Sequence, residues 1–336
     1  MTKRHGYIFR LNNRVWLGSK PPNLRDELNR VLEYEAKAKA ISQSNLPGRT
    51  VSYPNSVVAE VYTATLANGV SVSIHRHGLI VYDFTEVSPH DKELTTPAEE
   101  ARLEAERLKF MNGHALCIHS ALLRIERRGH QLNRVRRDDV IRFDNGGGSG
   151  LARATLDLSP QDTEDFAWYD RPWILGTPVI EEATAVLNTA LTCDESRTLD
   201  LLSLLSEAME ARQEANHALA LVAGWTVCEF LLGREWKNYI AERRILPGAE
   251  WRIEVNSERK RGLTGRDFTA KVLGEVLSLE GRIPFDLYQQ LEKARAARNK
   301  WLHEMKWPAP SASWEATFGA QLFLNHSLGL KLLVAR

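Results

Sequence analysis

The chain has 336 residues, 43% of them hydrophobic and 26% charged, with a formal net charge of +1. That length fits two domains better than one, the composition is ordinary for a folded globular protein, and so small a net charge does not by itself imply a polyanionic partner. No apolar run reaches the ~18 residues of a membrane span, and the basic segment Met1–Leu11 lacks the apolar stretch and cleavage site of a secretory signal. Cys117, Cys193 and Cys228 show no pairing pattern and no CxxC zinc signature. Cys117 and Cys228 fall in apolar helical stretches, where a thiol acts as a small hydrophobe, so the expected setting is a reducing cytoplasm.

Taken in chain order, Tyr7–Leu17 reads as a strand and 22–41 as a helix. The stretch VVAEVYTATLANGVSVSIHRHGLIVYDF, beginning at Val57, is rich in β-formers. Asn68-Gly69 is a strong hairpin signal and Gly78 marks a second turn, giving strands over 57–66, 70–76 and 79–85. Thr96-Pro97, with Glu99 and Glu100 in the first turn, opens a helix over 97–127. On it His114 and Cys117 have metal-ligand spacing and His119 lies close, but no third ligand is supplied locally, so packing is the preferred reading. His75 and His77 alternate on one strand face and read as ordinary strand-end histidines. The segment Asp144–Gly150 is glycine-rich, yet no GK[ST] follows and the next segment, LARATLDL, reads as a strand, so it is a turn or linker and not a phosphate loop. The first half, 1–165, is therefore α+β with a small antiparallel sheet, a candidate sensor or regulatory domain, and the boundary falls in 150–172.

From Pro172 the pattern is helical. Thr177-Pro178 opens a helix to Thr192. Ser196 caps a long apolar-periodic run to Arg244, broken near Asn216 and ended by Pro247-Gly248. A polar loop over 249–262 holds a short strand at Trp251–Val255, and Thr264 with Asp267 caps a helix over 265–279. Pro284 is expected as the first residue of a helix to Lys306, stopped by Pro308 and Pro310, and a last helix spans Ser311–Val334. Eight of the nine tryptophans lie at or beyond Trp168, and most read as core anchors. Residues 172–336 thus form an all-α helical bundle. Two basic runs stand out, one containing Arg124, Arg127, Arg128, Arg134, Arg136 and Arg137, the other Arg259-Lys260-Arg261; such runs are most often solvated surface.

One string carries chemistry: Ala297-Arg298-Asn299-Lys300-Trp301-Leu302-His303-Glu304, late in the next-to-last expected helix. Read alone, it is a surface arginine and a half-buried histidine. At ~100° per residue, Asn299 and His303 share a face with Arg295, while Arg298 lies to one side. A histidine can move a proton near neutral pH, and an arginine offers a planar fork to phosphate oxygens.

The pattern R-N-x-x-x-H in this position resembles the signature of the HEPN (higher eukaryotes and prokaryotes nucleotide-binding) superfamily. The upstream stretch VAGWTVCEFLLG, with Glu229, is similar to the earlier helix that often brings an acid to that motif. The chain departs from the pattern at Glu304, where many members have glycine. The resemblance covers the chain from Pro172 onward. It implies a HEPN-like domain that is a metal-independent endoribonuclease, with Arg298, Asn299, His303 and Glu229 as site residues. It implies neither metal nor cofactor. Two motifs are expected to pair across a homodimer as one composite site. RNA is then the ligand, with Arg295, Lys300 and Arg259, Lys260 and Arg261 as backbone contacts. The resemblance further implies a regulated toxin or anti-phage effector answering to a regulatory protein or phage-derived trigger, with no membrane partner. The alternatives are a catalytically silent HEPN module for nucleotide binding, dimerisation or partner binding, and a ligand-binding first half for which the helices only assemble.

Overall fold

The structure, a computed structural model, describes residues 5–10, 15–17, 60–76, 78–87, 96–127, 134–144, 173–193, 197–242, 262–263 and 269–334. The expected helix 22–41, the strands at 151–158 and Trp251–Val255, the Thr264/Asp267 cap, His77 and Arg259-Lys260-Arg261 lie outside the described residues. By contact the chain forms two units, the first Met1–His114, Ile125–Arg127 and Val135–Thr192, the second Ala115–Arg124, Arg128–Arg134 and Cys193–Arg336.

The first unit is α+β. Strands β1 (His5–Arg10), β3 (Glu60–Thr65), β4 (Ser71–His75), β5 (Leu79–Asp83) and β6 (Val140–Asp144) form one antiparallel sheet in the order β3-β4-β5-β1-β6. The expected single strand Tyr7–Leu17 is in fact two. The sheet strand ends at Arg10, and β2 (Val15–Leu17) pairs in parallel with β7 (Trp173–Leu175) instead. The Asn68-Gly69 hairpin is present: Leu66 N–H donates to the Val70 carbonyl at 2.8 Å, and Gly69 takes φ +90°.

Helix α1 (Pro97–Ile125) carries the side chains that cover the sheet; its residues up to His114 belong to this unit. Phe110 meets the rings of Tyr82 and Phe84 edge-on at 5.9 and 5.7 Å. The Arg107 guanidinium is buried over the rings of Tyr7 and Phe84, 5.3 and 5.5 Å from their centroids. Arg142 on β6 bonds Glu100 and Glu104 of α1 at 2.8 and 3.0 Å. Helix α2 (Thr177–Thr192) belongs to the same unit, where Asn188 Oδ1 accepts from the Ala67 N–H at 3.0 Å.

His114 is fully buried, with Nδ1 3.0 Å from Tyr82 Oη, and burial pushes its pKa down to about 4. The unfolded chain holds that proton below ~6.5, whereas the folded chain refuses it until about 4. Stability from this group is therefore complete above ~6.5 and is lost as pH falls toward 4, by about 3 kcal/mol in all. Denaturant titrations across that window are expected to show this slope in the wild type and a flatter one in His114→Gln. Equal slopes would refute the assignment. Cys117, one turn further on, has its thiol pushed up to about 12 by burial and is not reactive.

The second unit is mostly helical. Helices α3 (Thr198–Gln213) and α4 (His217–Glu242) form a hairpin broken at 214–216, where Ala215 takes φ +59°. Helix α5 (Ala270–Leu279) starts five residues later than expected, and α6 is Phe285–Glu304. Pro284 is the N-cap of α6 rather than its first residue. Pro310 does not stop a helix but begins α7 (Pro310–Leu328), because a proline lacks only an N–H that the first turn leaves unused. The last helix ends at Leu328 and not Val334: Gly329 takes the left-handed conformation, φ +63°, and ends it. Residues 330–334 follow outside any helix or strand, with Leu330, Leu332 and Val334 buried. The Leu332 and Val334 N–H groups donate to Asn325 Oδ1 and Gln321 Oε1 at 2.8 and 2.7 Å.

Contacts fix the helix directions. His217 meets Ser313, Gly224 lies against Ala316, Gly319 faces Cys228, and Arg234 donates to the Ser327 carbonyl, so α4 and α7 run parallel. Gly319 also faces Gln290 and Leu291, and His326 Nε2 meets the Arg282 carbonyl, so α6 runs antiparallel to both. Among the described residues no helix is long and apolar enough to cross a membrane.

Candidate functional site

The site grows out of the way α6 meets its neighbours. Its buried side chains are Leu287, Gln290, Leu291 and Ala294, a stripe at helical spacing that faces α7 and α4. Continued by the same period, the stripe reaches Arg298 and Trp301. The antiparallel register set by Gln290–Gly319 and Arg282–His326 puts Arg298 level with Pro310, where α7 begins. Beyond Arg298 α6 has no α7 residue alongside it, because α7 begins at Pro310.

Arg298 is half-buried there. Its Nη1 donates to Asn299 Oδ1 at 3.1 Å, which fixes the guanidinium and leaves its remaining donors available. Asn299 is half-buried and His303 exposed, one turn apart on the same face. Among the described residues neither Arg298 nor His303 has an ion-paired acid. Arg298 and Asn299 are thus joined by a hydrogen bond, and His303 lies one turn beyond Asn299 in the last turn of α6.

The other residues singled out in the sequence divide. Lys300 is exposed beside the motif. Arg295 is held by Glu292 through two hydrogen bonds of 2.8 and 2.7 Å, and that pairing raises its pKa. Its charge is largely spent within the helix. Glu304, where the HEPN pattern often has glycine, pairs with Lys306 at 2.6 Å, which lowers its pKa and offsets its charge next to His303. Glu229 is exposed on α4. The α4–α7–α6 register places it level with Leu287, about 16 Å along the bundle from Arg298 at 1.5 Å per residue. Within one chain Glu229 is not beside the motif. Glu229→Gln is expected to leave any RNA cleavage within about twofold of wild type, as surface changes away from a site usually do. A larger loss, measured on the same labelled RNA, would return Glu229 to the site.

Several neighbours were not legible beforehand. His217 lies at the same level of the bundle as Arg298, its Nδ1 3.1 Å from Ser313 Oγ. Met305, in the left-handed conformation, ends α6 and turns the chain back. Lys306 N–H then reaches the Lys300 carbonyl at 3.4 Å, and Trp307 packs edge-to-face on Trp301 with centroids 5.0 Å apart. Trp225 and Trp236 are core anchors as expected, but Trp307 is 66% exposed. Half of the basic run near residue 130 has structural partners: Arg124 donates to the Lys331 carbonyl, Arg134 pairs with Glu207 and Arg137 with Glu104. Among the described residues no three His, Cys, Asp or Glu side chains converge as a metal site.

Compared with known proteins, the chain matches no family model, no curated protein and no solved structure.

Proposed function

We propose that the helical unit is a HEPN-type endoribonuclease that works without metal, and that the chain is a regulated toxin or anti-phage effector. The observation that carries this reading is the end of α6, where Arg298 is hydrogen-bonded to Asn299 and His303 is exposed one turn beyond Asn299 on the same helix. RNA brings its own nucleophile. The 2′-oxygen attacks phosphorus as an imidazole takes its proton, the P–O5′ bond breaks, and an acid protonates the departing 5′-oxygen. The products are a 2′,3′-cyclic phosphate and a 5′-hydroxyl. Arg298, oriented by Asn299, faces the charge that builds on the non-bridging oxygens.

The reaction needs one proton taken and one given, and among the described residues one α6 end presents a single exposed imidazole, His303. Two copies joined at this end bring two imidazoles and two guanidiniums to one phosphate, so the working form is a homodimer with a composite site. The N-terminal α+β unit is the candidate sensor. The test is labelled RNA with purified protein in excess EDTA, with the new ends identified. Cleavage that persists in EDTA and leaves cyclic phosphate supports the reading. Cleavage abolished by EDTA, or ends bearing 3′-hydroxyls, would overturn it.

A further inference from the structure

We propose that Trp307 is a stacking platform for an unpaired base, making single-stranded RNA the ligand class of the α6 end; this rests on RNA being the substrate of that site. The connector 305–309 sets the ring in place. Met305 in the left-handed conformation reverses the chain, the Lys306 N–H anchors it to the Lys300 carbonyl, and Pro308 is buried before α7 begins at Pro310. The ring is braced edge-to-face by Trp301, yet the residue is 66% exposed. A braced, exposed indole loses little freedom when a base lies on it.

Position gives the platform its partner. Trp301 lies three residues from Arg298, so the two are neighbours on the helix surface, and Trp307 packs on Trp301. The platform is therefore on the Arg298 side of the motif. From Arg298 to Trp307 the charges are Arg298, Lys300 and Lys306 against Glu304 alone, an excess of two positive charges. A positive rim with an exposed aromatic ring is complementary to a phosphate chain with splayed bases, and base stacking tolerates any sequence. In an A-form duplex the bases are stacked on one another and closed to the ring. Leu302, 44% exposed, and Met305, 75% exposed, widen the apolar surface beside the platform.

The test is fluorescence anisotropy with a 5′-labelled 12-nucleotide RNA, single-stranded or annealed to its complement, in EDTA and on a His303→Ala background that blocks cleavage. Adding Trp307→Ala is expected to weaken single-strand binding about tenfold. Trp307→Phe is expected to restore most of it, and duplex binding to stay unchanged. Circular dichroism confirms that each variant is folded. Single-strand binding unaffected by Trp307→Ala, or a preference for duplex, would overturn the platform. So would a change of oligomeric state by light scattering in place of a change in RNA affinity, since the ring would then face a second copy. Cleavage of the same RNA by protein with His303 intact is scored separately. Binding that depends on Trp307 without cleavage keeps the platform and ends the ribonuclease reading, and the reverse keeps the ribonuclease and ends the platform.

Discussion

His303→Ala is expected to lower RNA cleavage by about 10²- to 10⁴-fold while leaving the unfolding transition unchanged. The magnitude is that of removing a positioned general acid or base. In a composite site both copies lose their imidazole at once, which places the loss toward the upper end. The fold is insulated because His303 is exposed in the last turn of α6, past the helix stretch that α7 covers. Arg298→Ala is expected to give a loss of about 10²- to 10³-fold, as for removal of one donor aimed at developing charge. Arg298→Lys is expected to recover only part of it, because a point charge cannot reproduce the planar fork. Single-turnover rates, beside thermal melts of each variant, check all three. Wild-type rates in His303→Ala would remove this residue from the chemistry.

Gly6→Ala carries the largest expected effect on folding. Gly6 lies in β1, between β5 and β6 in the sheet order. A Cβ built there would stand 1.9 Å from the Tyr82 carbonyl oxygen and 2.8 Å from the Phe143 ring. The ring can give way by a few tenths of an ångström, but the carbonyl is sheet backbone and can move only if strand pairing is disturbed. A loss of at least about 3 kcal/mol is expected, at the severe end for core overpacking. The check is a denaturant melt followed by a signal from the sheet. A melt matching wild type would mean that β1 and β5 sit further apart than described. Gly224, against the Ala316–Thr317 backbone at 3.0–3.1 Å, is the comparable close approach in the second unit, and its α4–α7 contact is milder.

How much of this could be read in the sequence depended on whether the signal was local. The Asn68-Gly69 hairpin and the helices Pro97–Ile125 and Thr177–Thr192 are written in turn chemistry and spacing, and the structure has them close to the expected ends. The break between α3 and α4 was also legible, since Asn216 interrupts the apolar period. Prolines were ambiguous because one residue serves two roles: at 310 the ring opens a helix where a stop was expected. The C-terminus was misread as helix to Val334, since LKLLV is apolar enough to continue the period and only Gly329 marks the end. Helix Thr177–Thr192 reads with the helical half by composition but belongs by contact to the sheet unit, a matter of tertiary packing that no local signal carries. At the site, Arg298, Asn299 and His303 were legible as a spacing. Their openness, the distance of Glu229 and the turned-back Trp307 depend on the register of three helices and on where α7 starts.

The overhang of α6 past Pro310 separates two kinds of selection. Leu287, Gln290, Leu291 and Ala294 are held by the bundle, and their substitution disturbs its packing. Residues 298–307 answer to little in the core, so chemistry there can be gained, lost or retuned with small cost to folding. The rim can thus diverge quickly on an unchanged scaffold. Two chains of this architecture could share every buried contact and still differ entirely in what that rim recognises.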